Sequence, residues 1–171
     1  MEHVILVDHQ DNEMGTMEKM EAHQKGVLHR AFSILIFNSK GEMLIQQRSH
    51  SKYHSAGLWS NACCSHPRPG EPIEEAVPRR LKEEMGIDVQ LKFAYKFIYK
   101  TLLENNLIEH ELDHVFIGKF DGVPVPDPAE VADWQFISIS ALQESVNKKP
   151  GEFTPWFNII LNDWSKRNTL T

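Results

Sequence analysis

The order of apolar and polar runs along the 171-residue chain predicts an α/β (α+β) fold in one domain, a mixed β-sheet accompanied by helices. Two observations carry this expectation. Residues 28–37 and 43–47 are apolar runs rich in β-formers, separated by Asn38-Ser39-Lys40-Gly41, which is the pattern of paired strands. Residues 72–86 instead space Ile73, Val77 and Leu81 one helical turn apart, with Pro72 at the start and Gly86 at the end.

In chain order, residues 4–7 are apolar and β-branched and predict an opening strand, with the polar stretch 8–15 as a loop. Lys19, His23 and His29 follow in a segment of mixed character. The hairpin of 28–47 is the expected first pair of the sheet. Arg48 and Lys52 stand just past it in a loop of small and polar residues, where they face solvent or a ligand. After Trp59, the cluster Pro67, Pro69 and Gly70 forces another loop. On the helix beyond, Glu75 is spaced to meet Arg79, and Arg80 to meet Glu84, while Gly86 supplies a left-handed cap. Pro78 lies inside that helix, where a lost backbone bond costs roughly 3 kcal/mol, so a kink or a late start is expected. Tyr95, Phe97 and Tyr99 alternate along a strand at 89–101, and Asn105-Asn106 marks a turn. In the strand at 107–120, Glu109, Glu111 and Asp113 project from one face. A strand at 134–139, a short helix at 140–147 and a last helix opened by Thr154-Pro155-Trp156, with Ile159, Ile160 and Trp164 inward, complete the chain.

Composition excludes several classes. A net charge of −6 without a basic stripe argues against a nucleic-acid partner, though not against a small phosphorylated ligand. The two cysteines, adjacent at Cys63 and Cys64, build no disulfide framework and point to a reducing compartment. No stretch approaches the ~20 apolar residues of a membrane span, and the first residues lack the pattern of an export signal. A soluble, cytoplasmic protein without a membrane partner is expected.

Three groups of residues could carry chemistry. Among nine histidines, His23, His29 and His66, together with Glu109 and Glu111, suit a divalent transition metal, which would also relieve repulsion along the acidic strand. The alternative is a solvated strand with unrelated histidines. Cys64, two residues before His66, could act as nucleophile or proton carrier, or could be a small buried hydrophobe like its neighbour Cys63. Glu83 and Glu84 could bind magnesium, or form a solvated helix face.

Glu71, followed after seven residues by Arg79-Arg80-Leu81-Lys82-Glu83-Glu84-Met85-Gly86-Ile87, resembles the signature of the Nudix superfamily. Two positions depart from it. Ser65 stands where the pattern has glycine, and Arg80 stands where it has a glutamate of the metal-binding set of Nudix hydrolases. With these departures the chain resembles one branch, the type I isopentenyl-diphosphate isomerases. MEKMEAH at 17–23, LHRAFS at 28–33, WSNACCSHP at 59–67, RRLKEEMG at 79–86, IEHELDHVF at 108–116 and FTPW at 153–156 are similar to that family's motifs, in its order. The resemblance spans nearly the whole chain. It implies a Nudix-like mixed sheet sandwiched between helices, with 1–27 as an N-terminal extension contributing a metal ligand and 28–171 as the core.

The family interconverts isopentenyl and dimethylallyl diphosphate in isoprenoid biosynthesis. Carried over by position, the resemblance implies that Cys64 is the catalytic thiol and Glu111 the catalytic carboxylate, with Tyr99 and Trp156 as the aromatic residues of the pocket. It implies that His23, His29, His66, Glu109 and Glu111 hold a divalent ion, by analogy manganese, zinc or magnesium. Glu84 would contact magnesium arriving with the diphosphate, and Lys19, Arg48, Lys52 and Arg80 would bind that diphosphate. The expected partner is a small isoprenyl diphosphate, and the expected state a monomer or weak dimer. Two rivals remain: a Nudix hydrolase indifferent to loss of Cys64, and a metal-binding Nudix domain without turnover.

Overall fold

The apolar runs become strands because β-branched and aromatic residues pack on a pleated surface, and their partners decide where the functional residues fall. The computed structural model describes residues 1–169, so the last two positions of the expected core, 170 and 171, lie outside the described residues. The chain opens with β1 (His3–Val7), β2 (Glu13–Glu18) and a short helix α1 (Lys19–Lys25). β1 pairs with β2 as an antiparallel hairpin, so the expected loop at 8–15 is shorter than its polarity implied. The sequence EMGTME, exposed along most of its length, has no alternating apolar face to betray a strand. Gly26, at φ 63°, caps α1 in the left-handed region.

β3 (His29–Phe37) and β4 (Met43–Arg48) form where expected, but they share only the Phe37–Met43 pair. The expected hairpin is therefore a corner rather than a ladder. β3 pairs instead with β8 (Ile108–Lys119) in parallel along its full length, and with β6 (Cys63–Ser65) on its other side. β8 pairs in turn with β7 (Leu91–Leu102), while β4 pairs with β5 (Trp59–Asn61) and β9 (Val131–Ile137). The loop that Pro67, Pro69 and Gly70 predicted is present at 66–72, and the two strands just before it, β5 and β6, were not expected; a strand of three residues leaves no periodicity to read.

Helices cover both faces. α2 (Ile73–Met85) packs Val77, Leu81 and Met85 against Ile34, Ile36, Leu44 and Phe116. Leu35, Met43, Ile45 and Val115 point the other way, toward α3 (Ile139–Lys148) and Phe157, Ile160 and Leu161 of α4 (Pro155–Thr169). Neighbours along β3 thus serve opposite cores, as the two-residue repeat of a strand requires. α2 begins at Ile73 and runs through Pro78 without interruption, so the helix does not start late. Its left-handed cap at Gly86 is as expected. Arg79 pairs with Glu71 and Glu83 rather than Glu75, because Glu71, before the helix, meets the guanidinium through both oxygens at 2.6 and 2.8 Å.

Candidate active site

Sheet register assembles the site. In the parallel ladder His29 stands beside Glu111, and in the antiparallel one Tyr99 stands beside Glu111, so the three share one face across β3, β8 and β7. On the far side of β3, Ser33 stands beside Cys64. His23 comes from α1, which the β1–β2 hairpin delivers against β8. All of these lie on the sheet face covered by α4, which supplies Trp156.

His23, His29, His66 and Glu111 each offer one ligand atom, and these atoms lie within 4.8 Å of one another. Glu109 joins them, with Oε1 3.5 Å from His23 Nε2. Two of the imidazoles are oriented by backbone: Nδ1 of His23 donates to Lys19 O at 2.7 Å and Nδ1 of His29 to Val27 O at 2.8 Å. A carbonyl can only accept, so each Nε2 is left as a lone pair aimed at the centre, the arrangement of metal-bound histidine. Both Nε2 atoms and Glu109 Oε2 are buried without a hydrogen-bond partner. Buried polar atoms left without partners in a convergent set fit a divalent cation.

The carboxylates beside it are not equivalent. Burial raises Glu111, but contacts with His29, Glu109 and Tyr99 outweigh it and bring the group down to about 2. Tyr99 donates its hydroxyl to Glu111 Oε2 at 2.7 Å, and His66 Nε2 lies 2.8 Å from Oε1. Glu109 moves up, through burial and then the charge of Glu111. Burial, followed by the same charge, also lifts the Tyr99 phenol.

Across β3, Cys64 donates its thiol to Asn61 Oδ1 at 2.9 Å and lies 3.4 Å from Ser33 Oγ, whose hydroxyl donates to Asp113 Oδ2 at 2.8 Å. Burial, then the charge of Asp113, pushes the thiol up to about 12. Cys64 is therefore a protonated thiol at neutral pH. Cys63 faces the opposite core, as a small apolar residue.

A cleft of about 510 Å³ joins these groups to the basic residues. Lys19, Arg48, Lys52 and Arg80 all line it, with Cys64, His66, Glu84, Tyr99, Glu111 and Trp156. His29 lies behind this lining, fully buried. The cations are partly neutralised within the protein. Arg80 bonds Glu84 at 2.5 Å and Glu83 at 2.7 Å, Lys52 pairs with Glu130, and Lys19 meets Glu2 at 3.1 Å. Arg48 donates to the carbonyls of Ser55 and His54, and its guanidinium carbon lies 5.1 Å from the centre of the Trp156 ring. Glu84 is buried, accepts from Gln46 at 3.1 Å, and is raised by burial despite Arg80.

Every residue given a role by the family resemblance thus lies in or directly behind one cleft, whereas Glu83, the other candidate for magnesium, is exposed outside it and pairs with Arg79 and Arg80. Sequence reasoning missed Ser33, Asn61, His54 and Glu130. His54 is buried against Trp156 and driven down to about 3 by burial and Arg48, yet in sequence it is one histidine among nine. Asn61 sat in view within WSNACC, and only its short distance from Cys64 could have flagged it. Glu130, in a loop far from the rest, carried no signal.

Among the described residues, a nine-stranded mixed sheet lies between helices and bears a buried histidine–carboxylate centre next to a thiol. Residues 27–157 match the NUDIX domain family. Among solved structures, the DR0079 protein of Deinococcus radiodurans superposes with a TM-score of 0.72 over 86% of this chain and 90% of its own, at 18% identity. A MutT protein of Methanosarcina mazei gives 0.67 over 82% and 95%, at 20% identity; at such identities the likeness is one of fold. Closer in sequence are isopentenyl-diphosphate Delta-isomerase 2 of Photorhabdus laumondii, 51% identical over 95% of this chain and 92% of that protein, and an isopentenyl-diphosphate Delta-isomerase of Burkholderia multivorans, 51% identical over 94% and 91%. The chain belongs to the isopentenyl-diphosphate Delta-isomerase family within the Nudix superfamily. Among the described residues no helix is long and apolar enough to cross a membrane.

Proposed function

We propose that the chain interconverts isopentenyl and dimethylallyl diphosphate by proton addition and removal. The observation that carries the reading is the lining of one cleft by a protonated thiol, Cys64, and a carboxylate, Glu111, beside a group of cations suited to a diphosphate. Residues 1–27 act as an extension of a single domain, giving the site His23 and Lys19.

Addition of a proton at C4 of the isopentenyl group makes C3 a tertiary, carbocation-like centre, and loss of a proton from C2 completes the shift. An acid and a base along a flat carbon chain suffice. Glu111, hydrogen-bonded by Tyr99, delivers the first proton, and Cys64 Sγ takes the second. The reaction is reversible, so each group is acid in one direction and base in the other. In the resting site the thiol holds a proton and Glu111 holds none. With these roles, that is the state left by an isopentenyl turnover and the state from which the dimethylallyl direction starts. Before each further isopentenyl turnover one proton must return to Glu111 and one must leave Cys64 Sγ, through solvent or from one group to the other, with no net change.

The hydrocarbon end offers no polar handle, so binding energy at the diphosphate positions it. Lys19, Arg48, Lys52 and Arg80 supply that energy, with Glu84 receiving the magnesium that accompanies the diphosphate. Arg80, which departs from the hydrolase pattern, here becomes a phosphate ligand. Trp156 walls the reacting carbons and offers π density to the cation, a contact worth up to ~2 kcal/mol when dry. His23, His29, His66, Glu109 and Glu111 would hold a divalent ion, manganese, zinc or magnesium, which would supply fixed positive charge beside the catalytic carboxylate. The free cysteines suit a cytoplasmic setting.

Incubation with isopentenyl diphosphate and magnesium in D2O tests the reading by mass spectrometry. Deuterium in a rearranged, intact diphosphate is expected; released phosphate would mean a hydrolase, and silence a binding domain. Cys64→Ala and Glu111→Gln should each slow exchange by about 100-fold or more.

A further inference from the structure

Asn61 is fully buried, and its side-chain amide is satisfied on every side. Nδ2 donates to Ile34 O at 3.1 Å and to Cys63 O at 3.0 Å. Both partners are carbonyls, so the amide cannot be turned over, and Oδ1 must be the atom that meets Cys64 Sγ. The same oxygen accepts from Ser60 Oγ at 3.1 Å. Ser60 Oγ is in turn the acceptor for the indole N–H of Trp156 at 3.0 Å, and lies 3.1 Å from Thr154 Oγ1, the cap of α4. A continuous buried chain of hydrogen bonds therefore runs from the indole through Ser60 and Asn61 to the thiol.

We propose that Asn61 is a positioning residue for the isomerisation: its Oδ1 fixes Cys64 Sγ directly and Trp156 through Ser60, so that thiol and aromatic wall keep one spacing. The inference rests on the isomerase reading. Its physical basis is the absence of any polar group at the reacting end of the substrate. Cations and metal fix the diphosphate, but the spacing between the protonated thiol, which is the proton donor in the dimethylallyl direction, and the cation-facing ring must be built into the protein. A shift of 1 Å in such a constellation can cost about 100-fold in rate. The two halves of the amide divide the work. Nδ2 ties β3 to β6 through backbone carbonyls, which is structural; Oδ1 serves the site. Substitution of Asn61 itself disturbs both halves and could prevent folding, whereas Ser60 reaches only the oxygen half.

Two measurements test this. The infrared S–H stretch of Cys64, assigned by its loss in Cys64→Ala, should lie below the frequency of a free thiol, because the S–H donates to Oδ1; a band at the free-thiol position overturns the proposal. With dimethylallyl diphosphate as substrate, the direction that starts from the protonated thiol, Ser60→Ala should lower kcat by about tenfold to 100-fold while KM moves less than about threefold, and Ser60→Thr, which restores the hydroxyl, should recover most of the loss. Wild-type kcat in Ser60→Ala, or no recovery in Ser60→Thr, overturns it as well. If the wild-type protein itself fails to isomerise, the isomerase reading fails instead, while the S–H band still reports on the Asn61 contact.

Discussion

Two regions share the cleft and differ in how they await their ligand. The histidine–carboxylate centre is built but unsatisfied: His23 Nε2, His29 Nε2 and Glu109 Oε2 are buried without partners, and backbone carbonyls hold two rings in place. The basic region is satisfied but uncommitted: Arg80 rests on Glu83 and Glu84, Lys52 on Glu130 and Lys19 on Glu2. A resident ion calls for rigid ligands whose desolvation is already accomplished by folding. A substrate that comes and goes calls for cations with internal partners, whose bonds are exchanged rather than left empty. The contrast fits a resident cation in the first region and, under the proposed function, an exchanging diphosphate in the second.

The sharpest way to break the contrast is to remove the ion. Without a cation, Glu109 and Glu111 are like charges buried side by side, and chelation should abolish activity and lower thermal stability together. Each tenfold rise in free metal above its Kd should then add about 1.4 kcal/mol to the stability of the apo protein, read as a rising Tm by calorimetry. His23→Ala should lose stoichiometric metal by elemental analysis and most of its activity, while keeping its far-ultraviolet circular dichroism. Tight metal retention in that variant would show that α1 does not serve the centre.

How far each region was legible follows from the kind of pairing that builds it. β7 and β8 were readable because aromatic and acidic residues alternate along them, and α2 because Pro72, the Val77–Leu81 stripe and Gly86 mark both ends. The residues of the centre were named through family motifs, but that they meet depends on the parallel ladder of β3 with β8. That ladder sets His29 in β3 against Glu111 in β8, five strands further along the chain, and nothing local encodes it. The expected β3–β4 hairpin failed for the same reason, since sequence neighbours were assumed to be sheet neighbours. In the basic region the cations were legible by motif, but their internal partners were not. Glu2 and Glu130 are unremarkable acids in sequence, and pairing decides their role.

That pairing gives the second test, of intermediate size. Lys52 and Glu130 are both partly exposed, so their ion pair is worth at most about 1 kcal/mol. Glu130→Gln should free Lys52 and loosen Arg80 without removing any phosphate ligand, lowering KM for the diphosphate by up to about fivefold. Lys52→Ala should raise KM instead. Opposite signs would establish that Glu130 competes with the substrate; a rise in both variants would make Glu130 part of the binding site. Neither change should alter metal content, which keeps the two regions separable.

The smallest expected effect tests what the regions share. α1 supplies His23 to the centre and Lys19 to the basic side, and it follows a hairpin fastened to the opposite face of the sheet by Asp11. That carboxylate takes Arg30 Nε at 2.8 Å, His114 Nε2 at 2.9 Å and Lys96 at 3.2 Å, while Arg30 also donates to the Asp11 carbonyl. Burial raises Asp11, but Arg30, His114 and Lys96 together bring it below the usual carboxylate value. A carboxyl depressed in the folded state contributes stability that is complete above its unfolded pKa and is lost as pH falls through the folded one. Asp11→Asn should therefore cost about 1–2 kcal/mol near neutral pH, a Tm drop of a few degrees, and the gap from wild type should close below about pH 4. No side chain of the site is touched, so any loss of metal affinity and any rise in KM should be small and should appear together. A change in one without the other would mean that α1 is held in place for that region alone, and that the hairpin is not their common support.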